Sequence, residues 1–142
     1  MANINQSIRT LLQSYNVITD VVGNRVYTLN RPQTLPQLPC IIIQRISTTP
    51  NNTKQENSTI DNCIIQLTFI GVYTMMLDLS DEARGILDNY VGTPSGSVEI
   101  QECTFAAQSE QGELDYMKAD TLVFDGVQTI VQEYNVRYFT GY

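Results

Sequence analysis

The residues of this chain that could do chemistry are mostly carboxylates, because fifteen residues are acidic and none is histidine. Three of the acids, Asp78, Asp81 and Glu82, are spaced closely enough to suggest a divalent metal site. They lie toward the start of a predicted helix, where the helix dipole stabilises anions. A solvated helix start accounts for the three acids without a metal, and we expect no bound metal.

The absence of histidine restricts the possible catalytic chemistry. It removes Ser–His–Asp and Cys–His nucleophilic sites, HExxH zinc sites and the usual general base near neutral pH. The sequence also contains no GxSxG, Walker A or GxGxxG pattern. We therefore expect that the protein is not an enzyme and uses no cofactor.

The three cysteines, Cys40, Cys63 and Cys103, each lie inside an apolar, strand-like run. Their number is odd, and no Cys-x-x-Cys spacing indicates zinc. The chain also shows no basic leader followed by an apolar stretch, so we expect a reducing compartment. Buried free thiols are therefore favoured over a disulfide pair.

Charge is divided unevenly along the chain. Residues 1–54 contain five basic residues and one acidic residue, whereas residues 55–142 contain three basic and fourteen acidic residues. The net charge of −7 argues against a broad nucleic-acid-binding face, which needs clustered Lys and Arg. The division allows two interpretations: an ordinary solvated surface, or oppositely charged faces that dock copies head to tail into a ring.

Hydrophobic periodicity and turn residues divide the 142 residues into elements. The pattern predicts a helix over 4–15, with an apolar continuation over 17–22, and a second helix over 74–92. It predicts an extended piece at 25–28 and strands over 40–46, 62–73, 97–108 and 129–139, with a bulge near Glu102. A loop is predicted over 109–120 and a hairpin turn at Asp125-Gly126. The predicted fold is α+β: a single domain, 1–142, forming a two-layer sandwich of a mostly antiparallel four- to five-stranded sheet with two helices packed on one face.

Alternation with a period of two predicts the faces of two strands. In the strand over 62–73, one face carries Cys63, Ile65, Leu67 and Phe69. In the last strand, the predicted buried face carries Ile130, Tyr134, Val136 and Tyr138. The predicted wet face of that strand carries Val131, Glu133, Asn135 and Arg137.

The segment 47–61 is dominated by Asn, Thr and Ser, with Ile60 as its one aliphatic residue. This composition predicts a long polar loop that connects the two most apolar strands, 40–46 and 62–73. Loops of this length are usually functional or disordered, so we expect this one to become ordered against a neighbouring subunit or another partner. The predicted interface residues are Asn51, Asn52, Thr53, Lys54, Gln55 and Glu56.

The stretch from 21 to 43 contains the most specific pattern of the chain. It reads V-V-G-N-R-V-Y, then Arg-Pro-Gln at 31–33, then Leu-Pro at 38–39 before an apolar strand. With the order of the later elements, it resembles the tail completion (tail terminator, or head–tail joining) proteins of long-tailed bacteriophages. Thr28 departs from the proline expected after the aromatic residue. The residues that carry the resemblance are Gly23, Arg25, Tyr27, Pro32 and Pro39.

The resemblance implies a structural protein of the virion. Such proteins cap the head-proximal end of the tail tube, usually as a hexameric ring, and join it to the head-side connector protein at the tail–neck junction. The implied partners are further copies of the chain, the tail tube protein and the connector, with assembly in the host cytoplasm and no membrane. DNA would pass through the ring without specific binding, because carboxylates repel phosphate. The candidate lumen acids are Glu110, Glu113, Asp115 and Asp120.

Two other functions fit the same elements. A neighbouring neck protein, such as a head-closure or adaptor subunit, would share the ring but not the Gly-x-Arg-Val-Tyr connector. A small-molecule binding module would need a concave apolar pocket that contains a few polar groups.

Overall fold

The computed structural model describes residues 4–28, 39–50, 60–94, 98–111 and 127–139. Its helices are α1 (Ile4–Gln13), α2 (Asn16–Val22) and α3 (Tyr73–Leu87). Its strands are β1 (Val26–Tyr27), β2 (Cys40–Pro50), β3 (Ile60–Val72), β4 (Ile100–Gln111) and β5 (Val127–Phe139).

The five strands form one sheet in the order β1-β2-β3-β5-β4. β2, β3, β5 and β4 pair antiparallel in that order, and the short β1 pairs parallel with β2. The α+β class and the mostly antiparallel sheet predicted from the sequence are therefore confirmed. β1 and β4 are the outermost strands of this sheet.

One face of the sheet forms the hydrophobic core with the helices. Phe69, toward the end of β3, lies opposite Ile41 of β2 and Ile130 of β5, so one apolar row crosses three strands. The residues predicted to share this face of β3 are all buried: Cys63, Ile65, Leu67 and Phe69. The helices contribute Ile4, Ile8, Leu11, Leu12, Ile18, Val22, Met76, Leu79, Ala83 and Leu87. We call this the covered face and the other the open face. The end of the open face around Ile70 is also buried, with Cys40, Ile42, Thr129 and Val131.

The helix predicted over 4–15 ends at Gln13, and the apolar residues after it belong to a second helix. Ser14 donates its hydroxyl to the carbonyl of Leu11 at 2.6 Å. Tyr15 is extended, with φ −108° and ψ 126°. Ser side chains that bond to the preceding turn compete with helix continuation, which explains the break. The described part of the chain thus has three helices where two were predicted.

The prediction of a polar loop over 47–61 is wrong at both ends. β2 continues through residue 50, and β3 already begins at Ile60. Ser47 pairs with Ile64 and Thr49 with Asn62. β5 supports this extension from the other side, since its last residue Phe139 pairs with Ile60. Polar residues remain in strands here because the ladder satisfies their backbone groups while their side chains stay in water.

The C-terminal strands agree with the sequence in their middle and differ at their ends. The predicted bulge near Glu102 is confirmed by a register shift between Ile100 and Glu102. The loop predicted over 109–120 is wrong over 109–111, which belong to β4. The Asp125-Gly126 turn lies outside the described residues. On β5, Val131 was predicted to be on the wet face and is buried.

Candidate assembly surface

The turn after α2 begins the segment that carried the sequence resemblance. Gly23 ends the helix, and its N–H donates to the carbonyl of Thr19 at 2.8 Å. Its φ of +57° is a conformation that glycine adopts without a steric penalty from a Cβ atom. The chain leaves α2 here and enters β1 within three residues.

Arg25 fastens this turn to the start of β2. Its Nε donates to the carbonyl of Pro39 at 2.8 Å, and Nη2 donates to the carbonyl of Val21 at 3.4 Å. Its own carbonyl accepts the N–H of Ile41 at 3.0 Å. One side chain therefore joins the end of α2 to the residue before β2. The motif residues Gly23, Arg25 and Pro39 thus act together, while Tyr27 is half-buried in β1.

The outer edge of β4 is closed over half its length by the turn that follows α3, residues 88–92. Asn89 donates its N–H to the carbonyl of Cys103 at 2.7 Å, and Asp88 Oδ1 accepts the N–H of Phe105 at 3.0 Å. Gly92 and Ile100 exchange both backbone hydrogen bonds, at 3.0 and 2.8 Å. We call residues 88–92 the edge turn.

The edge turn holds an apolar side chain out in solvent. Val91 is 69% exposed although its neighbours are fixed by backbone hydrogen bonds. Asn89 adopts a φ of +65°, which Asn tolerates better than most residues. Glu99, next to the residue that pairs with Gly92, is exposed. The closed edge therefore presents a fixed apolar side chain beside a carboxylate.

The edge of the sheet beyond β1 is built differently. β1 pairs with β2 only at Ile41 and Ile42, and among the described strands none lies beside β2 after that point. The side chains from 45 to 49 are exposed. Ile46, at a register shift in β2, is 48% exposed. The neighbouring Arg45 donates from Nη1 to the Tyr138 hydroxyl at 3.4 Å. We call residues 43–49 the β2 edge.

The open face contains a shallow groove of about 330 Å³. Arg137 lies within it, 3.5 Å from a Glu102 carboxylate oxygen and 3.3 Å from Asn62 Oδ1, to which its Nε donates. The groove is lined by Ser47, Thr49, Asn62, Cys63, Ile64, Glu102, Thr104, Asn135, Val136 and Arg137. Seven of these ten residues are polar or charged and the arginine is paired, so this shallow groove differs from the concave apolar pocket that a small-molecule binding module would need.

The covered face contains a buried polar network. Gln132 donates from Nε2 to the Ser80 carbonyl at 3.0 Å and to Gln108 Oε1 at 2.8 Å, and its Oε1 accepts the Tyr134 hydroxyl at 2.8 Å. Phe105 packs edge-on against Tyr134, with centroids 5.7 Å apart. The network ties α3 to β4 and β5.

The three cysteines are buried free thiols, as predicted. Burial raises the pKa of Cys40, Cys63 and Cys103 each to about 12. Burial also raises the pKa of Tyr134 above its ordinary value. Because the thiolate is the reactive form, these thiols are poor nucleophiles at neutral pH.

Most of the residues proposed from the sequence for assembly lie outside the described residues. These are the six interface residues 51–56, Pro32 of the motif, and three of the four candidate lumen acids, Glu113, Asp115 and Asp120. The fourth, Glu110, is exposed on β4. Over the described ranges, no three His, Cys, Asp or Glu side chains cluster to hold a metal ion. None of the described helices is long and apolar enough to cross a membrane.

Sequence reasoning missed both edge features. The sequence pattern makes Ile46 the apolar end of a strand, but the register shift between Arg45 and Ser47 leaves its side chain exposed. The pattern predicts a helix that includes Val91, whereas the helix ends at Leu87. Asp88-Asn89 ahead of Gly92 is a turn signal that could have revealed the edge turn.

The fold is similar to that of a chain in the virion of a native gene transfer agent (GTA) particle, with a TM-score of 0.67 and 11% sequence identity. The alignment covers 96% of this chain and 94% of that chain. No protein-family model and no curated protein sequence matches the chain. The likeness is therefore one of fold, along almost the whole length of both chains.

Proposed function

We propose that this protein is a structural subunit of a phage-type virion that forms a ring at the head-proximal end of the tail tube. The ring, of six subunits, ends tube polymerisation and joins the tail to the head-side connector. DNA passes through its lumen. The protein performs no chemical step in this role.

The whole-length fold likeness to a chain of a virion is the observation that carries the proposal. It spans 96% of one chain and 94% of the other, so both consist of the same set of elements without a large addition. A subunit of a virion is built to repeat and to contact neighbours. The likeness supports a virion subunit, and the sequence pattern over 21–43 supports the tail terminator role.

The geometry of the motif is consistent with that sequence pattern. Gly23, Arg25 and Pro39 are brought together by the hydrogen bond from Arg25 Nε to the Pro39 carbonyl at 2.8 Å. The motif therefore has a structural reason to occur as a unit. The motif positions the chain where it enters the sheet, and we assign the contacts with other subunits to other residues.

The overall charge suits a conduit for DNA. The chain has a net charge of −7, and on the open face the guanidinium of Arg137 is paired with Glu102. A ring with such a surface repels the phosphate backbone and lets DNA slide without adhering.

The test is to mix the purified protein with tail tubes encoded by the same genome and to image the tube ends by negative-stain electron microscopy. We expect a ring at one end of each tube and no further growth at that end when tube protein is added. An acidic globular protein of similar mass is the control. Deleting the gene should give tails of uncontrolled length that do not join heads.

Rings that bind isolated head connectors but never tube ends would overturn the tail terminator role in favour of a neighbouring neck protein. Tails of normal length joined to heads in the deletion strain would overturn both.

A further inference from the structure

We propose that neighbouring copies of this chain join by opposite edges of the sheet, the edge turn of one copy packing on the β2 edge of the next. This inference rests on the proposed ring and names the surface that would build it. The occupant of each edge is a second copy of the same chain.

The β2 edge offers the backbone groups for such a contact. Within the described strands, β1 pairs with β2 only at Ile41 and Ile42. From Ile43 onward, alternate N–H and C=O groups of β2 therefore point away from β3. An edge of this kind is a template for pairing with another chain unless it is blocked. The bulge after Arg45 keeps the edge from being a long, flat strand, which disfavours unlimited edge-to-edge pairing.

Each edge presents one exposed aliphatic side chain. Val91 on the edge turn is 69% exposed and Ile46 on the β2 edge is 48% exposed. Burying both would remove apolar surface from water at the centre of the contact. The fixed backbone of the edge turn holds Val91 in place before binding, so little conformational entropy is lost there.

The two edges also carry opposite charge. β2 contains Arg45 and no acidic residue, whereas β4 contains Glu102 and Glu110 and no basic residue. Glu99, which precedes β4, is exposed beside the edge turn. Contact between unlike edges brings Arg45 toward Glu99, since Glu102 is already paired with Arg137 on the open face. Contact between like edges would oppose charges of one sign, so the edges select the head-to-tail arrangement.

The positions of the edges fit a closed assembly. β2 and β4 are separated by β3 and β5, which at the usual spacing puts the edges about 14 Å apart on opposite sides of the subunit. A contact between two different patches on opposite sides is heterologous, and it forms a ring when the rotation between subunits closes.

Cysteine cross-linking in mixed assemblies tests the contact directly. We would prepare Ile46→Cys and Val91→Cys separately, mix them, and treat the rings or capped tubes with a short bismaleimide. The mixture should give cross-linked dimers, and each variant alone should give none. The native thiols are buried and unreactive, so they need not be removed. A cross-link in either variant alone, or none in the mixture, would overturn the proposed contact.

Substitution provides a second readout. Val91→Asp and Ile46→Asp should each lower the fraction of subunits in rings by about tenfold or more, as desolvating a carboxylate without a partner requires. Val72→Asp is the matched control, because Val72 is 53% exposed but lies at the far end of β3, and it should assemble normally. Arg45→Glu should weaken assembly, and pairing it with Glu99→Arg should restore it.

The outcomes separate this inference from the proposed function. Rings that form and cap tubes but give no Ile46–Val91 cross-link, and that tolerate both Asp variants, would leave the function standing and overturn the edge contact. Failure of the unmodified protein to form rings, either free or on tubes, would overturn the function and the contact together.

Discussion

The two faces of the sheet use similar polar side chains in opposite ways, and β5 shows this most directly. On the covered face, Gln132 is 0% exposed and makes three side-chain hydrogen bonds, to the Ser80 carbonyl, Gln108 and Tyr134. On the open face, five residues later, Arg137 reaches Glu102 and Asn62 in the presence of water. The hydrogen bonds of Gln132 are part of the packed core, whereas the contacts of Arg137 lie on the protein surface. The covered face therefore fixes the fold and leaves the exposed part of the open face and the edges for assembly.

This difference has an energetic basis. A buried amide that loses its partners keeps its full desolvation penalty, because no water can replace them. An exposed ion pair loses little, because water solvates both ends. Polar substitutions should thus separate by face, and the following predictions test that separation from the largest expected effect to the smallest.

Alkaline pH should destabilise the protein through its three buried thiols. Burial raises their pKa from an ordinary value of 9.0 to about 12 in the folded protein. Above pH 9 the unfolded state therefore binds fewer protons than the folded state, and the free energy of unfolding falls as pH rises. The full slope is about 1.4 kcal/mol per pH unit for each thiol, or about 4 kcal/mol per unit for all three. Urea unfolding from about pH 8 to about pH 9.5, below the ordinary tyrosine pKa of 10.0, should show the slope growing toward this limit as pH rises.

Two variants localise this effect. Replacing Cys40, Cys63 and Cys103 together by Ala should flatten the dependence over this pH range. Asn135→Cys adds a thiol on the open face, where Asn135 is exposed, and should leave the slope unchanged because an exposed thiol titrates alike in both states. An unchanged slope in the triple variant would contradict the assignment to the thiols.

Removing the buried amide should have the next largest effect. Gln132→Leu leaves the buried Tyr134 hydroxyl without its partner and removes the bonds to the Ser80 carbonyl and Gln108, so we expect a loss of about 2–3 kcal/mol in the free energy of unfolding. Gln66→Leu makes the same change in the neighbouring strand on the open face, where Gln66 is half-buried, and should change stability by less than about 0.5 kcal/mol. Equal losses in the two variants, measured by chemical denaturation, would remove the distinction between the faces.

An added methyl group should destabilise the protein at Gly71 and should be tolerated at Gly85. A Cβ at Gly71 would lie 3.0 Å from Pro39 Cβ and 3.1 Å from the Met76 sulfur, so Gly71→Ala should lower stability by about 1–2 kcal/mol. A Cβ at Gly85 in α3 meets nothing within 4 Å. Gly85→Ala should therefore raise stability by about 0.5–1 kcal/mol through helix propensity. Thermal unfolding compares the two, and a stabilising Gly71→Ala would show that the packing there is loose.

The sequence predicted the covered face better than anything else. Alternation in β3 and β5 identified Phe69, Leu67 and Tyr134 as core residues because a period of two reports directly on burial. The same signal gave a poor account of where strands end. Thr48 and Thr49 were read as loop residues because polarity favours loops, yet the ladder to β3 keeps them extended. Whether such residues are extended depends on backbone pairing between strands, and side-chain polarity does not indicate that pairing.

The candidate assembly surface was harder to predict for a related reason. Arg25 is part of the sequence pattern over 21–43, and its bonds to the carbonyls of Pro39 and Val21 give that pattern a local structural basis. The edges could not be inferred in the same way. Which strand lies outermost depends on sheet order, and the position of β5 between β3 and β4 is a long-range pairing without a local signature.

The smallest effect is expected for the ion pair on the open face. Arg137 and Glu102 are 45% and 52% exposed and lie 3.5 Å apart, so their coupling in a double-mutant cycle with Arg137→Ala and Glu102→Ala should be about 0.5 kcal/mol or less. Raising the salt concentration should weaken this coupling further, since the pair is open to counterions.

The same double-mutant cycle, measured on ring assembly, distinguishes two uses of the open face. If this face remains solvated in the ring, the coupling keeps its small value. If a partner covers the groove, water is excluded and each single variant leaves a charge desolvated, so assembly should fall by more than the loss of stability accounts for. A coupling above about 2 kcal/mol in the free subunit would mean that the pair belongs to the fold, which would contradict the division between the two faces.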